Sequence, residues 1–239
     1  MLEALKQDVF RANQRLVSSG LVVLTWGNAS GFDPETKLVV IKPSGVDYDK
    51  MTADDMVVVD LDGKVVEGKL RPSSDTATHI AFYRNFAGVK GAVHTHSVEA
   101  TAWAQACREI PAYGTTHADT FHGPVPVTRT LTEQEVNEAY ELNTGKVIVE
   151  RFRGLDPLAL PGVLVEGHGP FAWGVDVRHA VDSAVALEAI ARMARFTEQH
   201  FANVSPGLGR CDTELPRHIV ERHYQRKHGR NADYGQSKA

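Results

Sequence analysis

Only two cysteines, Cys107 and Cys211, occur in the 239 residues. They lie far apart and match no metal-ligand spacing, so neither a disulfide framework nor a thiolate metal site is expected. Two isolated thiols fit a reducing compartment and a structural role. No stretch approaches the ~18 apolar residues of a membrane span. The opening decapeptide MLEALKQDVF carries acidic and basic residues where a secretory signal would need an apolar run. Charge of one sign is scarce as well. The net charge is −4, with Lys and Arg scattered along the chain, which argues against the clustered basic face of a nucleic-acid binder. Repeats and low-complexity tracts are absent. A soluble, cytoplasmic protein folded as a single domain over residues 1–239 is expected, since a chain of this length buries enough surface to need no covalent staples.

The patterning that is present mixes two periods. Leu2, Leu5, Val9, Ala12 and Leu16 recur at helical spacing, and Ser18-Ser19-Gly20 ends that helix. Leu21–Leu24 reads as a short buried strand and Trp26–Ser30 as a loop. Leu38–Ile41 and Met56–Leu61 are β-rich, and Asp62-Gly63 signals a hairpin returning through Val65-Val66. Thr76–Phe86 is helical, with Ser73, Ser74 and Asp75 placed to cap it. Gly91–Val93 runs as a strand into His94-Thr95-His96, and Ala100–Ala106 suits a helix. Residues 111–126 read as an ordered loop, and Gly162–Val165 and Phe171–Trp173 as strands. Asp176 to about Phe201 is the longest helical pattern. A Pro/Gly break at Ser205–Gly209 precedes a last helix over Leu215–Lys227. Hairpins flanked by helices predict a three-layer α/β/α fold with a largely antiparallel central sheet.

His94-Thr95-His96 is the sharpest chemical signal. Alternate residues of a strand share a face about 6.5–7 Å apart, so two imidazoles can meet on one ion. His168, between Gly167 and Gly169, completes a His₃ set of the kind that holds catalytic zinc with an open position. Asp75 can add an oxygen, although Asp at a helix start also serves as a plain cap. Lys42-Pro43-Ser44-Gly45, Ser73-Ser74 before a helix, and Asn28 in a Gly-Asn-Ala-Ser segment offer cationic and neutral donors suited to an anion, phosphate above all. Each is ordinary turn chemistry when taken alone. Asp119, within Thr115–Asp119, is a candidate acid/base carboxylate or a solvated loop acid. Nothing in the residues themselves distinguishes Tyr234 from tail.

In combination these stretches resemble the class II aldolase/adducin family. Leu24–Asn28, Ile41–Val46, Pro72–Thr76, His94–His96, Gly114–Asp119, His168–Gly174, His223-Tyr224 and Tyr234-Gly235-Gln236 follow its motifs in order over most of the chain. Within the family the match leans to the sugar-phosphate 4-epimerases. Asp75 stands where the aldolases typically carry Glu as a base, and the Thr-Thr-His-Ala-Asp and Tyr-Gly-Gln runs are epimerase-like. The resemblance implies one zinc ion per subunit held by His94, His96 and His168 with Asp75 alongside. It implies substrate phosphate on Asn28, Lys42, Ser44, Gly45, Ser73 and Ser74, and an acid/base pair of Asp119 and Tyr234. Thr115, Glu141 and His223 match positions near such a site. The implied substrate is a small sugar phosphate, and the implied reaction is epimerisation at C4 of L-ribulose 5-phosphate to D-xylulose 5-phosphate. Because C4 carries no acidic proton, cleavage and re-formation of C3–C4 is the expected route. A homotetramer with active sites at subunit interfaces, the tyrosine coming from a neighbour, is also implied. Two alternatives are a class II aldolase that releases its aldehyde and a non-catalytic adducin-like interaction protein.

Overall fold

The computed structural model describes residues 2–203, 214–230, 232, 234 and 235. Cys211, the break at Ser205–Gly209 and residues 236–239, including Gln236, lie outside the described residues. Seven strands form one sheet: β1 (Gly27–Asp33), β2 (Leu38–Ile41), β3 (Val57–Asp60), β4 (Val65–Glu67), β5 (Gly91–Thr95), β6 (Gly162–Val165) and β7 (Gly169–Gly174). Their order is β4-β3-β2-β1-β5-β7-β6, and every neighbouring pair is antiparallel.

The helices are α1 (Glu3–Ser18), α2 (Thr76–Asn85), α3 (Val98–Gln105), α4 (Thr115–Ala118), α5 (Glu133–Arg151), α6 (Val177–Asn203) and α7 (Arg217–His228). Period-two alternation along the strands sorts the core onto the two faces of the sheet. Val39, Val57, Val59, Ala92, Phe171 and Trp173 join one cluster with Phe82 and Phe86 of α2 and Ile148 of α5. Val40, Val58, Val93 and Ala172 join the other with Val9 and Leu16 of α1 and Val181 of α6. The expected α/β/α layering is therefore present. Truncating a fully buried aromatic such as Phe82 or Trp173 to alanine would cost about 3–5 kcal/mol.

Three local expectations are corrected. Leu21–Leu24 is not a strand: Leu21 packs against the α1 side, but Leu24 is left-handed (φ 54°) and exposed in a turn. Trp26–Ser30 is not a loop, because β1 starts at Gly27 and runs between β2 and β5 near the middle of the sheet. Small residues occupy β1 because helices press on it; a Cβ on Gly31 would lie 2.6 Å from Val177 and 2.7 Å from Leu5. Cys107 is an exposed thiol in a left-handed turn (φ 55°) rather than a core residue. Helix α5 is not among the elements expected from the sequence, although its Thr132/Glu135 capping box is a recognisable start.

His117 on α4 is buried, with Nε2 donating to the Gly123 carbonyl at 2.7 Å. Burial pushes its pKa down to about 4 despite that bond. An unfolded chain takes up this proton below about pH 6.5, whereas the folded one resists until about pH 4. The His117 contribution to stability is therefore complete above about pH 6.5 and falls by roughly 3 kcal/mol on acidification to pH 4. Urea denaturation at pH 7 and pH 4.5 is expected to show a smaller acid loss for His117→Gln than for the wild type.

Candidate functional site

β1 and β5 pair with Asn28 opposite His94 and Gly27 opposite Thr95, so the motif residues of two distant segments meet at one end of the sheet. His94 is the last inward-facing residue of β5, and His96 follows just past the strand end. The turn after β6 brings in His168 directly before β7. Gly169 permits this approach: a Cβ there would sit 3.0 Å from the Thr95 carbonyl and 3.8 Å from the His94 ring.

The ligating atoms of His94, His96 and His168 all lie within 4.8 Å of one another. Nitrogens bound at 2.0–2.1 Å on a tetrahedral ion sit about 3.4 Å apart, so the set closes on a metal with small ring movements. His94 Nδ1 donates to the Pro170 carbonyl at 3.0 Å, which leaves Nε2 bare in the neutral ring. That Nε2 faces His96 Nε2 at 3.1 Å. Burial, reinforced by the His94 and His96 charges, pushes His168 down to about 4. Burial and then His94 also lower His96. Both shifts favour the neutral imidazoles of His96 and His168, the form that binds a cation.

Asp75 occupies the N-cap position of α2, yet its side chain makes no capping bond. Its Oδ2 instead accepts from Asn28 Nδ2 at 2.6 Å. Burial pushes the Asp75 pKa up, but His94, His79 and the Asn28 bond outweigh it and hold the carboxyl below its ordinary value. An ionised oxygen thus lines the same cleft as the three imidazoles, although among the described residues the donor atoms that close to within 4.8 Å are those of the histidines alone; three nitrogens with a carboxylate nearby suit a divalent cation. That bond uses one of the two Asn28 amide hydrogens and leaves the second for another acceptor.

The histidines and Asp75 share a cleft of about 610 Å³ with Asn28, Lys42, Ser44, Gly45, Ser73, Ser74 and Glu141. The two anion-type loops are tied together: Ser44 N–H donates to the Arg71 carbonyl at 2.9 Å and Ser73 N–H to the Lys42 carbonyl at 3.0 Å. Gly45 turns the first loop with φ 68°, a conformation that favours glycine. Lys42 is 1% exposed, with its ammonium on the Val46 carbonyl at 2.9 Å and 4.7 Å above the Tyr48 ring. Among the described residues no carboxylate pairs with it, and burial lowers its pKa. A buried cation served only by carbonyls and a ring is costly unless an anion joins it.

Thr115, Asp119, His223 and Tyr234 do not line this cleft. They gather instead where α4 meets α7. Asp119 takes Arg226 Nη2 at 2.8 Å, His223 Nδ1 at 3.1 Å and Lys227 Nζ at 3.4 Å. Burial raises the Asp119 pKa, but the Arg226 and His223 bonds overcome it and hold the carboxyl below its usual range. Tyr234 is 62% exposed, its ring 4.4 Å from the Lys227 ammonium and 5.0 Å from the Arg226 guanidinium.

Thr25, Trp26, Gly27, Pro43 and Tyr140 also line the cleft, and of these Tyr140 alone lies outside every motif named above. Tyr140 brings its hydroxyl to 3.3 Å from His168 Nδ1. It enters the cleft beside Glu141 because α5 breaks its helical geometry at Ala139 (φ −167°, ψ 83°). Trp26, 53% exposed, stands 6.4 Å from the His96 ring. The capping box signals the helix, but no residue pattern around Ala139 signals the break.

Residues 7–195 match the model of the Class II Aldolase and Adducin N-terminal domain. A relative from Salmonella paratyphi A, L-ribulose-5-phosphate 4-epimerase UlaF, is 56% identical over 98% of this chain and 100% of its own length. Its counterpart from Salmonella paratyphi B is 55% identical over the same shares. Among solved structures, an L-fuculose 1-phosphate aldolase superposes with a TM-score of 0.75 at 26% identity, covering 93% of this chain and 95% of its own. An L-fuculose-1-phosphate aldolase from Thermus thermophilus gives 0.63 at 23% identity over 85% and 98%. Together with the seven-stranded antiparallel sheet and the histidine cluster between β5 and β7, these matches establish that the chain belongs to the class II aldolase and adducin family.

Proposed function

We propose that this protein epimerises L-ribulose 5-phosphate at C4 to D-xylulose 5-phosphate, using one zinc ion per subunit. The observation that carries the reading is one cleft in which three converging imidazoles adjoin the unpaired Lys42 ammonium. It occurs in a chain 56% identical, end to end, to a relative named for this reaction. His94, His96 and His168, with Asp75, would hold the metal. When bound, zinc supplies Lewis-acid polarisation of the substrate's C2 carbonyl.

Asn28, Lys42, Ser44, Gly45, Ser73 and Ser74 bind the phosphate and keep the two-carbon aldehyde fragment in place while it turns over. Asp119 and Tyr234 serve opposite faces of that aldehyde. One accepts the C4 hydroxyl proton as C3–C4 breaks, and the other returns a proton to the C4 oxygen as the bond re-forms with inverted configuration. Thr115 and His223 neighbour this pair, and Glu141 closes the cleft side. Since Asp119 and Tyr234 sit together on the α4–α7 pole of the chain, we infer that they act in the cleft of an adjacent copy within a cyclic homotetramer. Exposed Val23, Leu24 and Trp26 in the chain leading into the cleft fit an interface there.

Incubating the zinc-loaded protein with L-ribulose 5-phosphate tests the reaction. Accumulation of D-xylulose 5-phosphate with little free glycolaldehyde phosphate is expected. Release of dihydroxyacetone and glycolaldehyde phosphate would instead make it an aldolase.

A further inference from the structure

Among the described residues, three buried side-chain atoms lack a hydrogen-bond partner: Asn28 Oδ1, His79 Nε2 and Thr101 Oγ1. The first two belong to residues that already hold Asp75, through the Asn28 amide at 2.6 Å and the His79 backbone N–H on the Asp75 carbonyl at 3.0 Å. An orphan in a fully buried position is costly, and Asp75 and His79, four residues apart at the start of α2, share one side of that helix.

The other side of the His79 ring is fully specified. His79 and Tyr83 stand four residues apart on α2 and so share its sheet-facing side. Ser30 of β1 lies between them, with Oγ 2.7 Å from His79 Nδ1 and 2.6 Å from the Tyr83 hydroxyl. Burial raises the Tyr83 pKa, so the phenol keeps its proton and needs an acceptor, which Ser30 Oγ supplies. Ser30 then turns its own proton onto His79 Nδ1. A neutral His79 ring with Nδ1 accepting carries its hydrogen on Nε2, and this is the orphan atom. Burial lowers the His79 pKa, the Asp75 charge opposes that shift and His94 adds to it.

We propose that His79 is a positioning residue for the metal site: its Nε2–H, aimed by the Tyr83–Ser30 relay, holds the Asp75 carboxylate in its ligating orientation across one water. The inference rests on the zinc reading above and concerns a residue outside the ligand set. Outer-shell partners of this type are typically worth about 10–100-fold in metal affinity.

Zinc affinity of the purified full-length protein, measured by competition with a chelating dye, separates the outcomes. His79→Asn keeps an acceptor near Nδ1 but removes the Nε2 donor, and about 10–100-fold weaker zinc binding is expected. His79→Gln can return an N–H near the Nε2 position and is expected to recover most of that loss. Tyr83→Phe releases the relay without touching His79 and is expected to weaken zinc several-fold, which keeps the test available if His79→Asn fails to fold. Unchanged affinity in folded His79→Asn or in Tyr83→Phe overturns the inference while leaving the zinc reading intact. An equal loss in His79→Asn and His79→Gln also overturns it, as a packing effect. A wild type that takes up no zinc overturns both.

Discussion

His96→Asn is expected to leave a folded protein that retains no stoichiometric zinc and has no measurable turnover. His96 lies just beyond the end of β5 and is only half-buried, so its loss removes little packing. Its partners within ring contact are the two other imidazoles, at centroid distances of 4.8 Å to His94 and 5.0 Å to His168, and Trp26. Removing one of the three imidazoles deletes a first-sphere nitrogen bond, and the neutral Asn amide is a poor replacement for it. The expected affinity loss exceeds the ~10²-fold upper range for an outer-shell change. Metal analysis after gel filtration, with circular dichroism as the folding control, reads the result. A full zinc equivalent in the variant would dismiss the histidine cluster as the metal centre.

The second large effect is expected at Asp119→Asn, a loss of about 10²–10⁴-fold in turnover, the range for one acid/base group, with zinc content unchanged. Asp119 also clamps α7 through Arg226 and His223, so the variant's assembly state has to be measured alongside its rate. Mixing then isolates the interface. Asp119→Asn subunits carry an intact histidine cleft, and His96→Asn subunits carry an intact Asp119. If each active site draws on two neighbouring copies, co-refolding these two inactive variants restores a fraction of wild-type activity. No recovery from demonstrably mixed tetramers would place Asp119 outside a shared site. Near-normal turnover of Asp119→Asn alone would remove it from the mechanism and turn attention to Glu141 and Tyr140, which line the cleft in the same chain.

What could be read in advance divides along physical lines. The histidines were legible because strand geometry makes His-x-His a same-face pair whatever surrounds it. The strands flanked by strong β-branched runs were legible too, since Val39–Ile41 and Val57–Val59 advertise burial on both faces. β1 was inverted with its neighbour because its composition, Gly-Asn-Ala-Ser-Gly, has turn propensity. Tertiary packing between β2 and β5, under α1 and α6, overrides that preference. Leu21–Leu24 erred in the opposite sense, as an apolar run spent on a turn. The grouping of Lys42, Ser44, Ser73 and Ser74 into one cleft depended on backbone pairing between segments far apart in the chain, which the family resemblance supplied and local chemistry did not. Tyr140 stayed hidden because the break at Ala139 has no Pro or Gly to announce it.

The histidine cluster and Tyr234 are anchored very differently. The histidine floor is built on β1, β5 and β7, paired at the centre of the sheet, whereas Tyr234 leans on α7 by one backbone bond to Arg226 and two cation–ring contacts. Amides of β1 and β5 should exchange with deuterium only through opening of the whole sheet, and the Tyr234 amide through release of its one bond to the Arg226 carbonyl. Heat or mild urea would therefore silence the protein in two separable stages. The first would be reversible and metal-retaining, and the second would be the melting of the fold itself.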